Sequence, residues 1–521
     1  MTQLTSAYAL HEALRQPSLA EALPAYIRER RWFGGKSRTI ARAQIRDAVP
    51  FPASAPLAYL CFVQISYAEG LDDCYLLPLA RAEGLQADAL REDMPQAVVR
   101  SQGDTLGAPA IFDAVYDPAF CQALLDAIGG AARAPGLSLA LVAEPTSSFA
   151  RLRGQGDLAP RISKAEQSNT SIIYGDRLIL KLFRRIVAGQ NPDLEIGRYL
   201  TEQGQFGQIA PVAGAITIEE QGAEPAVLGM LMGFVPNVGD AWGRMLELLG
   251  ELRGQIGPGQ QPPPSGDGAA LAPEAERLFA PTLGAARTLG QRTAELHLAL
   301  AAPTDDPAFA AEPFGADVAA ADVAAMHALA DRVFANARLW LERQPEADRA
   351  DVLAILAGEQ AIRARFDALA SRPLTALRTR AHGDYHLGQV LALPDGDFVI
   401  IDFEGEPARS LAERRAKRSP LRDVAGMLRS FDYAAATALT GDAQLESWGR
   451  SWYAWVAAAF LGSYLRTVQG AAFMPQQQGE FDVLLDAFLI EKAVYELQYE
   501  LDNRPDWVRI PAQGILRLVQ S

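Results

Sequence analysis

The segment His382-Gly383-Asp384-Tyr385-His386-Leu387-Gly388-Gln389, followed by the apolar run Phe398-Val399-Ile400-Ile401 and then Asp402-Phe403-Glu404, constrains this chain more than any other feature. Asp384, Gln389 and Asp402 are oxygen donors in a set order around a β-branched run that reads as a short buried strand. A chain that keeps that order has to bring a polar loop and the end of a strand together. An isolated His-Gly-Asp is ordinarily a turn with a capping aspartate. The amide, the strand and the second acidic pair that follow here turn the reading from a turn to a catalytic loop.

Phosphoryl transfer needs one carboxylate beside the attacking hydroxyl and oxygen ligands that hold magnesium on the nucleotide. In the catalytic loop of protein kinases an amide follows the base aspartate by five positions, and a second aspartate closes a short strand. Gln389 stands five positions after Asp384, and Asp402 closes the strand. Asp384 therefore reads as the base and Gln389 and Asp402 as Mg²⁺ ligands, with Glu404 serving a second metal. His386 is a candidate for orienting Asp384 or the loop backbone.

A triphosphate also needs a lysine on an earlier strand and an acidic partner in the helix after it. Ser171 to Phe183 reads as two β-runs joined by Gly175-Asp176, with Lys181 near the end of the second. Asn191-Pro192-Asp193 opens a helix, and Glu195 in its first turn is the expected partner of Lys181. No G-x-G-x-x-G precedes Lys181. In its place Glu166-Gln167-Ser168-Asn169-Thr170-Ser171 is expected to be a small-polar turn whose hydroxyls and N–H groups, from Ser168 to Ser171, cover phosphates.

Six blocks spread over nearly the whole chain resemble bacterial maltokinases: Arg31-Trp32-Phe33-Gly34-Gly35-Lys36, Glu166 to Ser171, Leu180 to Arg185, His382 to Gln389, Asp402-Phe403-Glu404-Gly405-Glu406-Pro407, and Glu491-Lys492-Ala493-Val494-Tyr495-Glu496. The resemblance implies the aminoglycoside-phosphotransferase and protein-kinase-like fold. It implies use of ATP with Mg²⁺ and transfer to the anomeric hydroxyl of maltose, feeding glycogen and other α-glucan synthesis, with a trehalose-synthase-type maltose producer as a partner. It also implies a cap near the nucleotide loop, to which Lys36 belongs. Tyr385 departs from the family loop, where an aliphatic residue is more usual. The related glucosamine kinases tend to carry Asp-Phe-Asp-Gly-Asn-Pro where this chain has Asp402 to Pro407, which favours maltose.

Composition fits a cytoplasmic enzyme. The 521 residues suffice for two or three domains, and 49% hydrophobic content supplies the core. Lys plus Arg of 48 against Asp plus Glu of 63 gives a net charge of −15, which argues against nucleic acid or an anionic membrane as partner and suits a neutral sugar. The three cysteines, Cys61, Cys74 and Cys121, lack metal-site spacing and read as reduced thiols. The start has no basic segment leading into an apolar one, and Ser451 to Leu465 is too short and polar to span a bilayer.

The fold class expected is α+β: a bilobal protein-kinase-like fold with a mixed α/β cap over residues 1–110, a small β-rich nucleotide lobe over 111–236 and a large helical lobe over 237–521. Met232-Gly233-Phe234-Val235-Pro236 is the expected hinge that grips adenine, and Gly254 to Pro273, rich in Gly, Pro and Gln, reads as a flexible loop. His297 falls on the apolar period of a helix and reads as a packed structural histidine. Ser419-Pro420 starts a helix with Leu421, Val424, Ala425, Leu428 and Phe431 at core spacing.

A last helix, Ala487 to Asp502, carries Lys492, Glu496 and Glu500 at four-residue steps, with Tyr495 and Tyr499 alongside. Neutral sugars need donors and acceptors for paired hydroxyls and a flat ring against their apolar face. His382, Lys492, Tyr495, Glu496 and Arg504 are the candidate sugar contacts. Two other readings stay open: a phosphotransferase of the same fold acting on glucosamine or an aminoglycoside, and a catalytically dead ligand-binding scaffold.

Overall fold

The structure, a computed structural model, describes residues 9–51, 57–103, 105–136, 138–163, 168–264, 273–346, 349–477 and 479–520. Glu166 and Gln167 of the expected phosphate turn, and the centre of the Gly254 to Pro273 stretch, lie outside them. The chain divides into two compact units, Met1–Gly204 with Ala210–Pro236, and Gln205–Ile209 with Asn237–Ser521.

The first unit holds two antiparallel sheets. One contains β1 (Ile40–Pro50), β2 (Ala58–Tyr67), β3 (Asp73–Ala82), β4 (Val98–Ser101) and β5 (Ala110–Asp113) in the order β1-β2-β3-β5-β4. The other begins with β6 (Arg133–Pro135), β7 (Leu139–Pro145), β8 (Pro160–Ile162), β9 (Asn169–Tyr174) and β10 (Leu178–Phe183). The short β11 (Arg185–Ile186) returns to pair with β3, and β12 (Val212–Glu220) and β13 (Ala226–Gly233) complete the order β6-β7-β12-β13-β10-β9-β8.

The run Tyr59 to Val63 is apolar without interruption because β2 is buried on both faces. Cys61, Val63 and Ile65 pack with Leu19, Leu23 and Ile27 of the helix Pro17–Arg28. Leu60 and Phe62, pointing the other way, share a core with Ile172, Leu180 and Ile216 of the second sheet. That core runs across residue 110, so the segments 1–110 and 111–236 form one unit. Each such side chain withdrawn from water contributes roughly 1.5–3 kcal/mol.

The second unit is mainly helical. The helix Pro273–Leu300 packs on Ala443–Thr467, and Leu421–Ala438 packs on Glu480–Asn503. Proline at position 420 is the N-cap of the Leu421–Ala438 helix, where it forfeits no backbone bond. The Glu480–Asn503 helix is longer than the apolar spacing suggested and is followed by a further helix, Arg509–Gln520, that the sequence reading missed. A two-stranded hairpin, Val390–Ala392 with Phe398–Ile400, carries Asp402 beyond its end. Among the described residues no helix is long and apolar enough to cross a membrane. The three cysteines are free, and burial raises the pKa of each thiol, to about 11 for Cys74 and about 12 for Cys121.

Candidate active site

The loop His382 to Gln389 is held from beneath by buried groups. The Asp423 carboxylate, on the Leu421–Ala438 helix, accepts the backbone N–H of His382 at 2.7 Å and of Gly383 at 3.0 Å. His297 donates to the same carboxylate at 3.2 Å through Nε2, and its Nδ1 pairs with the Tyr464 hydroxyl at 2.9 Å. Burial alone would raise the Asp423 pKa, but His297, His382 and the Gly383 N–H outweigh it and keep the group ionised. The packed structural histidine of the sequence reading is thus one step from the loop. A Cβ on Gly426 would come within 2.5 Å of the Tyr385 carbonyl oxygen, so only glycine lets helix and loop approach this closely. Tyr385 itself is buried, its hydroxyl 2.9 Å from Thr293 Oγ1, which explains a tyrosine at a usually aliphatic position.

His382 is buried and is corrected from sugar contact to support: its Nε2 donates to the Ile401 carbonyl at 2.9 Å, and its ring lies 5.1 Å from that of Phe403. His386 Nδ1 accepts the Gly388 N–H at 3.0 Å and caps the short turn Leu387–Gln389. Burial pushes the His386 pKa down, against the pull of Asp384, so the ring is neutral and its tautomer is set by that cap. The backbone carbonyl of Gln389 accepts from Ile401 N at 3.0 Å and ties the loop to the strand before Asp402.

Asp402 has φ of +68°, a left-handed conformation that costs a non-glycine residue energy and that clusters at functional sites. Asp402 and Glu404 each present a carboxylate oxygen, the two within 4.8 Å of each other. Two half-buried carboxylates at that spacing are an oxygen-only donor pair of the kind a hard divalent cation takes.

A cavity of about 410 Å³ opens beside the loop, lined among others by Gly383, Asp384, Glu406, Lys492 and Tyr495. Lys492 bridges two carboxylates, 3.3 Å from Asp384 Oδ1 and 3.1 Å from Glu406 Oε1, with its ammonium 4.9 Å from the centre of the Tyr495 ring. Burial disfavours the Lys492 charge, but Glu406 and Asp384 outweigh it and raise its pKa. Burial likewise opposes ionisation of Glu406, yet Lys492 and Arg409 hold its pKa down at about 2. Lys492 and Tyr495 therefore both line the cavity.

Glu496 and Arg504 do not. Glu496 faces Arg429, at 2.8 Å, which also binds Asp432 at 2.6 Å, and it does not line the cavity. One turn along a helix keeps residues on one side only approximately, and here the Leu421–Ala438 helix takes that side. Arg504 folds back on Glu500 at 2.6 Å and lies over the Tyr499 and Trp507 rings, off the cavity.

In the first unit Lys181 is buried on β10, with its ammonium 3.1 Å from Asp193 Oδ2. Asp193 sits in the same first helical turn as Glu195, where Asn191 caps the N–H groups of Asp193 and Leu194 at 2.8 and 3.3 Å. Asp193, two positions before the expected partner Glu195, is an acid that the sequence reading did not single out. Asn169, Thr170 and Ser171 are corrected from turn to strand: they begin β9, with Ser171 opposite Lys181. Thr170 and Ser171 are buried, Thr170 Oγ1 accepting from Arg184 Nε at 2.9 Å, while Ser168 is exposed. Lys36 is also exposed.

Residues 26–117 match the family model of the maltokinase N-terminal cap domain. The chain is 28% identical over 358 residues to a glucosamine kinase of Streptacidiphilus jiangxiensis, spanning 68% of this chain and 72% of that one. It is 24% identical over 374 residues to a glucosamine kinase of Mycolicibacterium smegmatis, spanning 68% and 78%. A solved glucosamine kinase superposes with a TM-score of 0.63 at 20% identity, covering 93% of this chain and 95% of that one. Another, solved with glucosamine, ADP and inorganic phosphate, gives 0.61 at 22%, covering 92% and 94%. Fold and relatives together define a kinase-like phosphotransferase, as the loop order led us to expect. Within that class the chain carries a segment that matches the maltokinase N-terminal cap and is similar to the glucosamine kinases.

Proposed function

We propose that this protein transfers the γ-phosphoryl group of ATP to the anomeric hydroxyl of maltose, giving maltose 1-phosphate. The observation that carries the reading is Asp384 on the wall of a cavity that also presents Lys492 and the Tyr495 ring. Asp384 accepts the proton of the sugar hydroxyl as its oxygen attacks the γ-phosphorus, the bond from that phosphorus to the β–γ bridging oxygen breaks, and ADP leaves. Lys492 orients Asp384 and keeps Glu406 ionised, while Tyr495 offers a flat face to the sugar ring. Asp402, Glu404 and the Gln389 side chain are the groups that would hold Mg²⁺, which supplies charge neutralisation at the phosphates when bound. Lys181, oriented by Asp193, is assigned to the nucleotide phosphates, with Ser168 and Asn169 at the start of β9.

The cap match and the charge of Lys492 between two acids favour a neutral sugar. The names of the curated relatives favour an amino sugar, and that is the second reading. Incubation with Mg-ATP and maltose, glucose, glucosamine or kanamycin, with ³¹P NMR to locate the phosphate, separates them. Phosphate on the anomeric oxygen of maltose is the expected result. Phosphate on glucosamine or kanamycin but not maltose overturns the substrate, and no transfer to any acceptor would leave a ligand-binding scaffold.

A further inference from the structure

The charges around the acceptor cavity do not balance. Its carboxylates all have partners. Asp384 and Glu406 share Lys492, and Glu406 also binds Arg409. Glu491 binds Arg422, which Asp322 holds from its other side at 2.9 Å. Asp423 is taken up by the loop N–H groups and His297, and Glu413 closes the capping box of the helix Leu411–Arg415. Among the described residues three cations of the lining have no such match: Arg332, which is exposed, Arg414, whose Nη1 donates to the Glu404 carbonyl at 3.2 Å, and the partly buried Arg418. Arg418 lines the same cavity, and among the described residues no carboxylate lies within 4.0 Å of it. Its one side-chain bond is a long one, 3.4 Å, from Nη2 to the Glu413 carbonyl oxygen.

Arg418 is nevertheless not a loose surface residue. Its backbone pairs both ways with Thr379, N to O at 2.9 Å and O to N at 3.0 Å, which anchors the Cα beside the cavity. Its guanidinium is partly buried and has Arg422 and Arg409 as neighbours, and burial together with those two like charges pushes its pKa down to about 10 against the weaker pull of Asp322 and Glu491. A partly buried guanidinium with donors to spare and no carboxylate in direct contact is poorly solvated as it stands. It gains when oxygen atoms enter the cavity and loses when another cation does.

We propose that Arg418 is the residue with which the acceptor cavity selects its sugar, donating to paired hydroxyl oxygens of a neutral sugar and, through a positive charge held in no direct ion pair, disfavouring one that carries an ammonium group. This rests on the phosphotransferase reading and on the cavity being the acceptor site. It adds that selectivity comes as much from repulsion of the amino sugar as from contacts to the neutral one.

The test is steady-state kinetics of the full chain and of Arg418→Gln, Arg418→Lys and Arg418→Glu, with maltose, glucosamine and Mg-ATP each varied, and thermal melting recorded for every variant. Arg418→Gln should raise KM for maltose by about tenfold or more, the scale of a lost hydrogen bond from a charged donor, with the KM for Mg-ATP unmoved. Arg418→Lys should raise KM for maltose yet keep the bias against glucosamine, because the charge stays while the fork is lost. Arg418→Glu should move the ratio of kcat/KM for glucosamine over maltose upward by about tenfold or more. The assignment fails if folded variants keep the wild-type KM for maltose, or if the sugar ratio does not move in Arg418→Glu. A wild-type protein silent on both sugars refutes the phosphotransferase reading instead, and one that prefers glucosamine refutes the selectivity argued here while leaving the transfer chemistry standing.

Discussion

Arg184 in the strand-rich unit and Lys492 in the helical unit are both cations held among carboxylates, yet only one of them borders open space. Arg184 is 1% exposed and fully surrounded: its guanidinium meets Asp113 at 2.9 Å, Thr170 Oγ1 at 2.9 Å and the Leu76 carbonyl at 3.4 Å, under the Trp32 ring. Lys492 meets Asp384 and Glu406 at similar distances, but it and its partners line a cavity. A closed ion pair has nothing left to bind and serves to lock Trp32 of the first sheet's core to the β9–β10 hairpin. An open one keeps a carboxylate ionised where a ligand can reach it. Burial of charge alone therefore does not mark a site; burial next to a cavity does.

The contrast breaks most sharply at Asp384. Asp384→Asn should lower kcat by at least about 100-fold, the span of a lost general base, while the melting temperature stays close to that of the wild type. Full activity in that variant would remove Asp384 from the reaction. The opposite pattern is expected at the closed pair. Arg184→Met should cost about 3–5 kcal/mol of stability in denaturant unfolding, because Asp113 is left buried without its counter-ion. Adding Asp113→Leu should recover most of that loss, since it removes the stranded charge. If the single variant is as stable as the wild type, the closed pair is not structural in the sense argued.

A smaller effect sits on the hairpin that carries Asp402. Asp397 at its turn takes Arg292 of the Pro273–Leu300 helix in a two-pronged bond, 2.8 Å on each side. Burial favours the protonated form of Asp397, but Arg292 outweighs it and holds the pKa below the ordinary 3.8. A carboxyl depressed in the folded state contributes stability above its unfolded pKa and loses it as the pH falls through the folded one. Asp397→Asn should therefore cost about 1–2 kcal/mol near neutrality, and its melting temperature should converge with that of the wild type as the pH is lowered towards 3. Parallel melting curves across that range would show that the pair contributes nothing. Smallest of all, Arg504→Ala should change stability by less than about 1 kcal/mol and leave the sugar KM where it was, because its side chain is 45% exposed and paired away from the cavity.

The α+β class, the hairpin around Gly175-Asp176, the helix opened by Asn191-Pro192 and the two strands before Pro236 were all legible from turn residues, caps and periodicity. Those signals are local, and tertiary packing had no reason to override them. The order Asp384, Gln389, Asp402 was legible for the same reason, because a loop, a turn and a strand end follow one another within a few residues. The small-polar turn before Lys181 was misread because its hydroxyls could not be told apart from strand residues facing a core, and Thr170 faces Arg184 across 14 positions.

What the amino-acid order determined by itself was thus the set of local shapes and the chemistry strung along them. What only the tertiary structure decided was the pairing of charges: Lys181 with Asp193, Lys492 with Asp384 and Glu406 some 108 and 86 positions away, and Glu496 with Arg429. The physical reason is that a charge has no period. An apolar face repeats along a helix or strand and can be counted, whereas a lysine or arginine takes whichever carboxylate the fold delivers, and that is set by packing between elements far apart in the chain.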